Sequence, residues 1–400
     1  MHQNSALHPL AIILGFPDEL SKGADLQLPL ARPDITDLEI AYVNKVLNTP
    51  VLSMGPMVEQ FESSLAEYIG CKYAIAVNSG TSGLHTCIIA SGIEAGDRVI
   101  TTPFSFIASS NCILYERAIP VFVDIDPNTL NIDTQKIDDK LRELERNGNH
   151  SKAILPVHIF GQPCDMDPIV DLASRHNLTV IEDACEAIGA EYQGQRVGTF
   201  GSAAVFSFYP NKQITVGEGG VIVTNDQQYA ELCRSIRNQG RDTSNTWLNH
   251  IRLGYNYRLD ELSAALGIAQ LERIEDLLTT REVVASWYNE RLASIDGIRL
   301  PNISPLTTRM SWFVYVIRLN PDQDRNRIML DLDSRGIPTR PYFSPIHLQR
   351  FYQDDLGYRP GDFPVTEMIA SSTLAIPFFS AMTEDQVEYV CDNLRQVIRG

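Results

Sequence analysis

The sequence has no long apolar run, no excess of positive charge and no paired-cysteine motif. Its early apolar stretch, LHPLAIILGF at residues 7–16, is too short to cross a bilayer. No basic segment precedes it and no small-residue cleavage site follows, so it reads as a docked helix or arm and not as a secretory leader. Lys and Arg total 33 against 50 Asp and Glu, a net charge of −17. Nucleic acid and anionic membrane surfaces need a dense basic face, so neither is expected as a partner. A small anionic substrate needs only a few local cations and stays open. The 7 cysteines (Cys71, Cys87, Cys112, Cys164, Cys185, Cys233 and Cys391) are odd in number and widely spaced. Without CxxC or a His/Cys cluster they predict buried thiols in a reducing cytoplasm and no metal site. Internal repeats and low-complexity segments are also missing.

What is present from about residue 72 is a recurring pattern of short β-branched run, polar turn and helix-like stretch. The strand candidates are KYAIAV (72–77), RVITT (98–102), IPVFVDI (119–125), KAILPVH (152–158), LTVIEDA (178–184), SAAVFSF (202–208) and GGVIVT (219–224). Most are apolar along their whole length, as strands covered on both faces must be. Helical spacing in residues 82–93 and 166–177 separates some of them, which predicts an α/β domain with a mainly parallel sheet. Residues 257–295 carry sustained helical periodicity and read as one long helix or two in line. Strand and turn signals follow at 311–319, a helix at 326–336 and a closing helix at the C-terminus. The expected organisation is an extension at 1–27, a large α/β domain at 28–265 and a smaller α+β domain at 266–400.

Three segments carry chemistry. NSGTSGLH (78–85) leaves a strand and opens a helix, with Gly80 and Gly83 allowing close backbone approach and Ser79, Thr81 and Ser82 supplying hydroxyls. Unpaired amides at a helix start, together with its positive end, suit a phosphate; a plain Ser/Thr helix cap fits the same residues. The segment matches neither a Walker nor a Rossmann pattern. VIEDACEAIG (180–189) puts Glu182 and Asp183 at the end of an apolar strand, where open α/β sheets bind ligands. Read alone, Asp183 is also an ordinary helix N-cap. VFSFYPNKQITVGEGGVIVTND (205–226) places Lys212 between Ser207 and a glycine cluster. Burial disfavours the charged form of an amine, and a neutral amine forms Schiff bases. A phosphate cradle, an acid for a pyridinium nitrogen and an amine for an aldehyde together describe a site for pyridoxal 5′-phosphate.

With RPDITDLEI, LSMGPMVEQFE, TPFSFIASSNCI, PVFVDIDPNTLNID, PVHIFGQPCDMDPI, GYNYRLDELSAALG and RPYFSPIHLQ added in order, residues 28–398 resemble the DegT/DnrJ/EryC1/StrS family of pyridoxal-phosphate aminotransferases acting on nucleotide-linked keto sugars. The resemblance implies the type I aminotransferase fold, a homodimer with shared active sites, and a cytoplasmic enzyme that takes its amino group from L-glutamate for polysaccharide, lipopolysaccharide or antibiotic amino sugars. It implies Lys212 as the cofactor-bearing lysine and proton shuttle, and Asp183 as the acid facing the pyridinium nitrogen. Phe106 corresponds to the aromatic that stacks on the ring, Gly80, Thr81 and Ser207 to phosphate contacts, and Asn256 to an asparagine reaching the phosphate from the neighbouring subunit. Glu186 stands where many relatives carry glutamine near the cofactor's phenolic oxygen; in the family glutamate there often accompanies amination at sugar C4, which favours a 4-keto-6-deoxy sugar. A 3-keto sugar or a cyclitol remains the alternative within the family. Relatives that replace the lysine by histidine are sugar dehydratases; retention of Lys212 implies transamination. His158, Tyr342 and His347 are further candidates for substrate contact, each with a structural reading beside it.

Overall fold

The computed structural model describes residues 27–242 and 248–399. The arm read at residues 7–16 lies outside the described residues.

Seven strands form the main sheet: β1 (Tyr73–Val77), β2 (Arg98–Thr101), β3 (Ile119–Phe122), β4 (Ser151–Ile154), β5 (Thr179–Asp183), β6 (Ala203–Ser207) and β7 (Gly220–Thr224). All seven match the segments expected from sequence. Their order is β1-β7-β6-β5-β4-β2-β3. β7 runs antiparallel to both of its neighbours, while the other pairings are parallel. The parallel strands therefore deliver their C-terminal ends to one edge, where ligands of open α/β sheets bind.

The apolar runs have the expected cause. Along β6, Ala203 and Val205 enter one core with Ile75, Val77 and Ile222. Ala204 and Phe206 enter the other with Ala74, Ala76, Val221 and Val223. Successive side chains point to opposite faces, so a strand with a core on each side has no polar position left.

The long helical stretch is two helices, Glu261–Glu272 and Ile274–Leu292, broken at Arg273. The guanidinium of Arg273 is drawn out to Asp34 and Glu39. The first helix packs on the helices Asp37–Leu47 and Pro56–Ile69. Along the second, Leu277 and Leu278 belong to a core of the main sheet, whereas Val284, Ala285, Tyr288 and Leu292 belong to a third core. That core also holds Trp312 and covers a three-stranded antiparallel sheet, β8 (Ile298–Arg299), β9 (Tyr315–Leu319) and β10 (Thr373–Ile376). β9 begins later than the run at 311–319 predicts. Ser311 and Phe313 instead donate their amides to the carbonyls of Gly161 and Phe160, which follow β4.

Candidate active site

The C-terminal edge of the main sheet opens into a cleft of about 610 Å³. Ser79, Gly80 and Thr81 line it after β1, Phe106 after β2, Asp183 and Glu186 at the end of β5, and Ser207 and Lys212 at the end of β6. Phe313, Pro341, Tyr342 and Phe343 close it from the side of the small sheet.

The helix Gly80–Ala90 starts at this edge because Ser79 caps it, its hydroxyl accepting from the Ser82 amide at 3.0 Å. Ser82 is itself bonded to Asn78 Oδ1 at 2.6 Å and shares a contact with Ser79 at 2.8 Å. Both serine hydroxyls are thus engaged in building the turn. The amides of Gly80 and Thr81 have no acceptor among the described residues and are the free donors of the helix start. Glycine is required at two close approaches. A Cβ on Gly80 would stand 2.8 Å from Cys185 Sγ and 2.9 Å from Ser207 Cβ. One on Gly220 would stand 2.7 Å from the main chain of Ser79. The GEGG cluster therefore packs a strand against the helix start.

Asp183 is 4% exposed. Its Oδ2 accepts from the Ser109 hydroxyl at 2.6 Å and its Oδ1 from the Cys185 amide at 3.2 Å. Ser105 backs Ser109 at 2.7 Å. No Lys, Arg or His pairs with Asp183 among the described residues, so a buried carboxylate faces the cleft without a cation. The N-cap reading fails, because turns and not a helix follow β5.

Lys212 follows β6 after a turn closed by its own amide on the Tyr209 carbonyl at 2.9 Å. Its Nζ lies 3.8 Å from Glu186 Oε1 and 3.9 Å from the centre of the Phe313 ring. Glu186 is buried and accepts from the Phe160 amide at 2.9 Å. Burial pushes its carboxyl above the ordinary carboxylate range, opposed by the ammonium of Lys212 and the amide of Phe160. Phe106 stands at the rim with its side chain exposed. Tyr342 also lines the cleft, and burial raises its phenol, which is bonded to Asn211. Asn211 in turn buries an Oδ1 that has no partner among the described residues.

Three sequence candidates are not part of this cleft. His158 is fully buried on the far side of the sheet edge: Nδ1 accepts from the Cys164 amide at 3.0 Å, so Nε2 carries the proton it shares with Glu182 Oε2 at 3.1 Å. Its neighbour Val157 is the residue that reaches the cleft. Of the two readings of His158, the structure's bonds to Glu182 and the Cys164 amide favour the structural one. His347 is likewise buried and bonded to Glu367 at 3.0 Å, with burial lowering its pKa, and it does not line this cleft. Asn256 is exposed and lies outside this cleft, its carbonyl accepting from Asn78 Nδ2 at 3.3 Å. Sequence reading missed Ser109, Phe313 and Asn211. Ser109 stands three residues after Phe106 in a segment already singled out, but nothing local marks it as a partner of residue 183.

A family model described as the DegT/DnrJ/EryC1/StrS aminotransferase family matches residues 33–395. The chain belongs to this family. Among curated relatives, a GDP-perosamine synthase of Caulobacter vibrioides is 40% identical over 376 residues, 93% of this chain and 98% of that protein. Helicobacter pylori PseC, an aminotransferase involved in the biosynthesis of pseudoaminic acid, superposes with a TM-score of 0.87 at 28% identity, covering 94% of this chain and 100% of that one. A DegT/DnrJ/EryC1/StrS aminotransferase from Brucella abortus gives a TM-score of 0.84 at 32% identity, covering 90% and 95%. DegT/DnrJ/EryC1/StrS aminotransferases depend on pyridoxal phosphate, and the α/β architecture described above is theirs. Among the described residues no helix is long and apolar enough to cross a membrane.

Proposed function

We propose that this aminotransferase moves an amino group from L-glutamate to a nucleotide-diphospho-keto-sugar, a 4-keto-6-deoxy sugar in the first instance, using pyridoxal 5′-phosphate. The observation that carries the reading is that Lys212, Asp183 and the free helix start at Gly80 and Thr81 face one cleft. The residues fit the cofactor. The open amides of Gly80 and Thr81 at the helix start suit its phosphate, with Ser207 beside them. The unpaired carboxylate of Asp183 suits a pyridinium nitrogen, and Phe106 offers a ring at the rim. When bound, pyridoxal phosphate supplies an aldehyde and a ring that accepts electrons from a substrate carbanion.

The chain's own residues do the rest. Asp183 keeps the proton on the ring nitrogen, and Ser109 holds that carboxylate in place. Lys212 holds the cofactor through its amine, and on release it takes the proton from the α-carbon of the amino donor. Phe313 and Glu186 fix where Nζ sits between those tasks. Tyr342, Phe343 and Tyr209 shape the outer cleft against the sugar nucleotide. Asn256, exposed and away from its own cleft, reaches the phosphate of a second subunit in this reading. The GDP-perosamine synthase relative favours a nucleotide sugar as acceptor, and Glu186 favours C4.

The test is a panel of nucleotide-linked keto sugars, with a cyclitol ketone as the competing acceptor, incubated with L-glutamate. Release of 2-oxoglutarate in step with an amino sugar supports the proposal; release only with the cyclitol ketone moves the substrate class. Lys212→Ala is expected to remove turnover entirely, together with the visible absorption of lysine-bound cofactor. A Lys212→Ala protein with full transaminase activity would end the reading.

A further inference from the structure

The helix Ile274–Leu292 carries one residue that its two cores do not explain. Arg281 lies between Leu278, in a core of the main sheet, and Val284, in the core of the small sheet. Its residue is 2% exposed. One guanidinium nitrogen, Nη1, donates to the carbonyls of Trp312 at 3.1 Å and Phe313 at 3.2 Å. The other, Nη2, donates to the carbonyl of Lys212 at 3.2 Å. Its Nε has no partner, and no carboxylate forms an ion pair with it among the described residues. The Phe378 ring lies 5.4 Å from the guanidinium carbon, and the Asp34 carboxylate acts on it from beyond ion-pair distance.

A buried cation resting on neutral carbonyls is an expensive arrangement. An apolar residue would fill the same space at a helix crossing without that penalty. What the guanidinium adds is a planar fork that reaches acceptors on two separate segments at once. Those segments are the main chain of Lys212 and residues 312–313, whose Phe313 ring lies 3.9 Å from Lys212 Nζ. Gln213 makes a second tie from the next peptide, donating to the Glu186 carbonyl at 2.6 Å and to Ser311 Oγ at 2.8 Å. Lys212 is thus held on both sides, and Arg281 is the tie that comes from the helix joining the two sheets.

We propose that Arg281 is a positioning residue for Lys212: it locks the lysine's main chain to the segment whose aromatic ring lies against the lysine's amine. The proposal rests on Lys212 being the cofactor-bearing residue. Misplacing a reacting group by about 1 Å can slow a reaction roughly a hundredfold without disturbing substrate binding elsewhere. Arg281→Met keeps the stem and removes the fork. It is expected to lower kcat by roughly tenfold to a hundredfold while KM for glutamate holds. It also slows, by a similar factor, the growth of visible absorption when cofactor-free protein is mixed with pyridoxal phosphate. Arg281→Lys, which keeps a donor for the Lys212 carbonyl, should recover part of both losses.

Borohydride reduction followed by peptide mass analysis of the parent protein separates this inference from its foundation. If the reduced cofactor is not on Lys212, the foundation fails and the inference falls with it. If it is on Lys212, and Arg281→Met captures the cofactor and turns over as the parent does, Arg281 only fills space and the inference is overturned, whatever happens to the melting temperature. Should Arg281→Met not fold, Arg281→Lys and Arg281→Gln carry the same comparison, and parental rates in both overturn it.

Discussion

Glu182 and Asp183 are adjacent acids on one strand, and their surroundings differ in a way that separates structure from chemistry. Glu182 is fully buried and its two oxygens accept from the amides of Gly198, Phe200 and Gly201 and from the ring of His158, at 2.7–3.1 Å. Its bonding capacity is filled. Asp183 points to the other face, because side chains alternate along a strand, and among the described residues it receives the Ser109 hydroxyl and the amide and thiol of Cys185. Its remaining capacity faces the cleft. A saturated buried acid holds a loop; an undersaturated one beside a cavity has capacity left for a further donor. In the same way His158, saturated by Glu182 and the Cys164 amide, belongs with the structural acid even though its main chain is bonded to Asp183.

The largest effect that would break this contrast is expected at Asp183. Asp183→Asn retains the shape and an acceptor for Ser109 or Cys185 but removes the charge. It should lower kcat by roughly a hundredfold or more, since preorganised charge of this kind contributes several kcal/mol, with little change in melting temperature. Steady-state kinetics beside a thermal melt checks both halves. Unchanged turnover would remove Asp183 from the chemistry.

Glu182→Gln should do the reverse. An amide at this position turns NH₂ hydrogens toward backbone donors and leaves at least one of them unsatisfied, at about 3 kcal/mol. The unfolding midpoint in denaturant should drop, while the kcat of the remaining folded, cofactor-loaded enzyme stays near the parent's. A loss of kcat at unchanged stability would show that the two acids are not divided as described.

Why sequence alone separated so much and then stopped is visible in the same residues. The strands were legible because cores on both faces leave them no polar position. Lys212, Asp183, Gly80, Thr81 and Ser207 could be gathered at one edge because each lies at or just beyond the C-terminal end of a strand, while the phosphate contacts of Gly80, Thr81 and Ser207 were what the family resemblance implied. Orientation beyond the strand end was not legible. His158 pairs with Glu182 24 residues away, and His347 with Glu367 20 residues away. Neither partnership leaves a local trace, so a histidine facing the cleft and one facing a carboxylate behind it read alike. Ser109 meets Asp183 across 74 residues and Arg281 meets Lys212 across 69, by contacts that only the assembled sheet and helix bring together. The turn after Asp183 also fits a helix start in sequence, because an acid before small residues serves both.

The smallest effect sharpens the contrast at a third acid, Glu186, which is buried like Glu182 yet belongs to the cleft like Asp183. Burial raises its pKa above the ordinary value. The folded chain therefore binds that proton more readily than the unfolded chain does. The stabilisation this brings is complete below the ordinary carboxylate range, near pH 4.3, and is lost as pH rises through the raised folded-state value. Glutamine has the shape of the protonated acid at every pH. Cofactor-free Glu186→Gln should thus melt slightly higher than the parent at neutral pH, by on the order of 1 °C. The gap should close as pH falls toward that range, and paired melts across the interval measure it. A gap that widened on acidification would mean that the Lys212 ammonium 3.8 Å away outweighs burial and holds Glu186 ionised, which would class Glu186 with the charge-bearing acid of the cleft instead of setting it between the two.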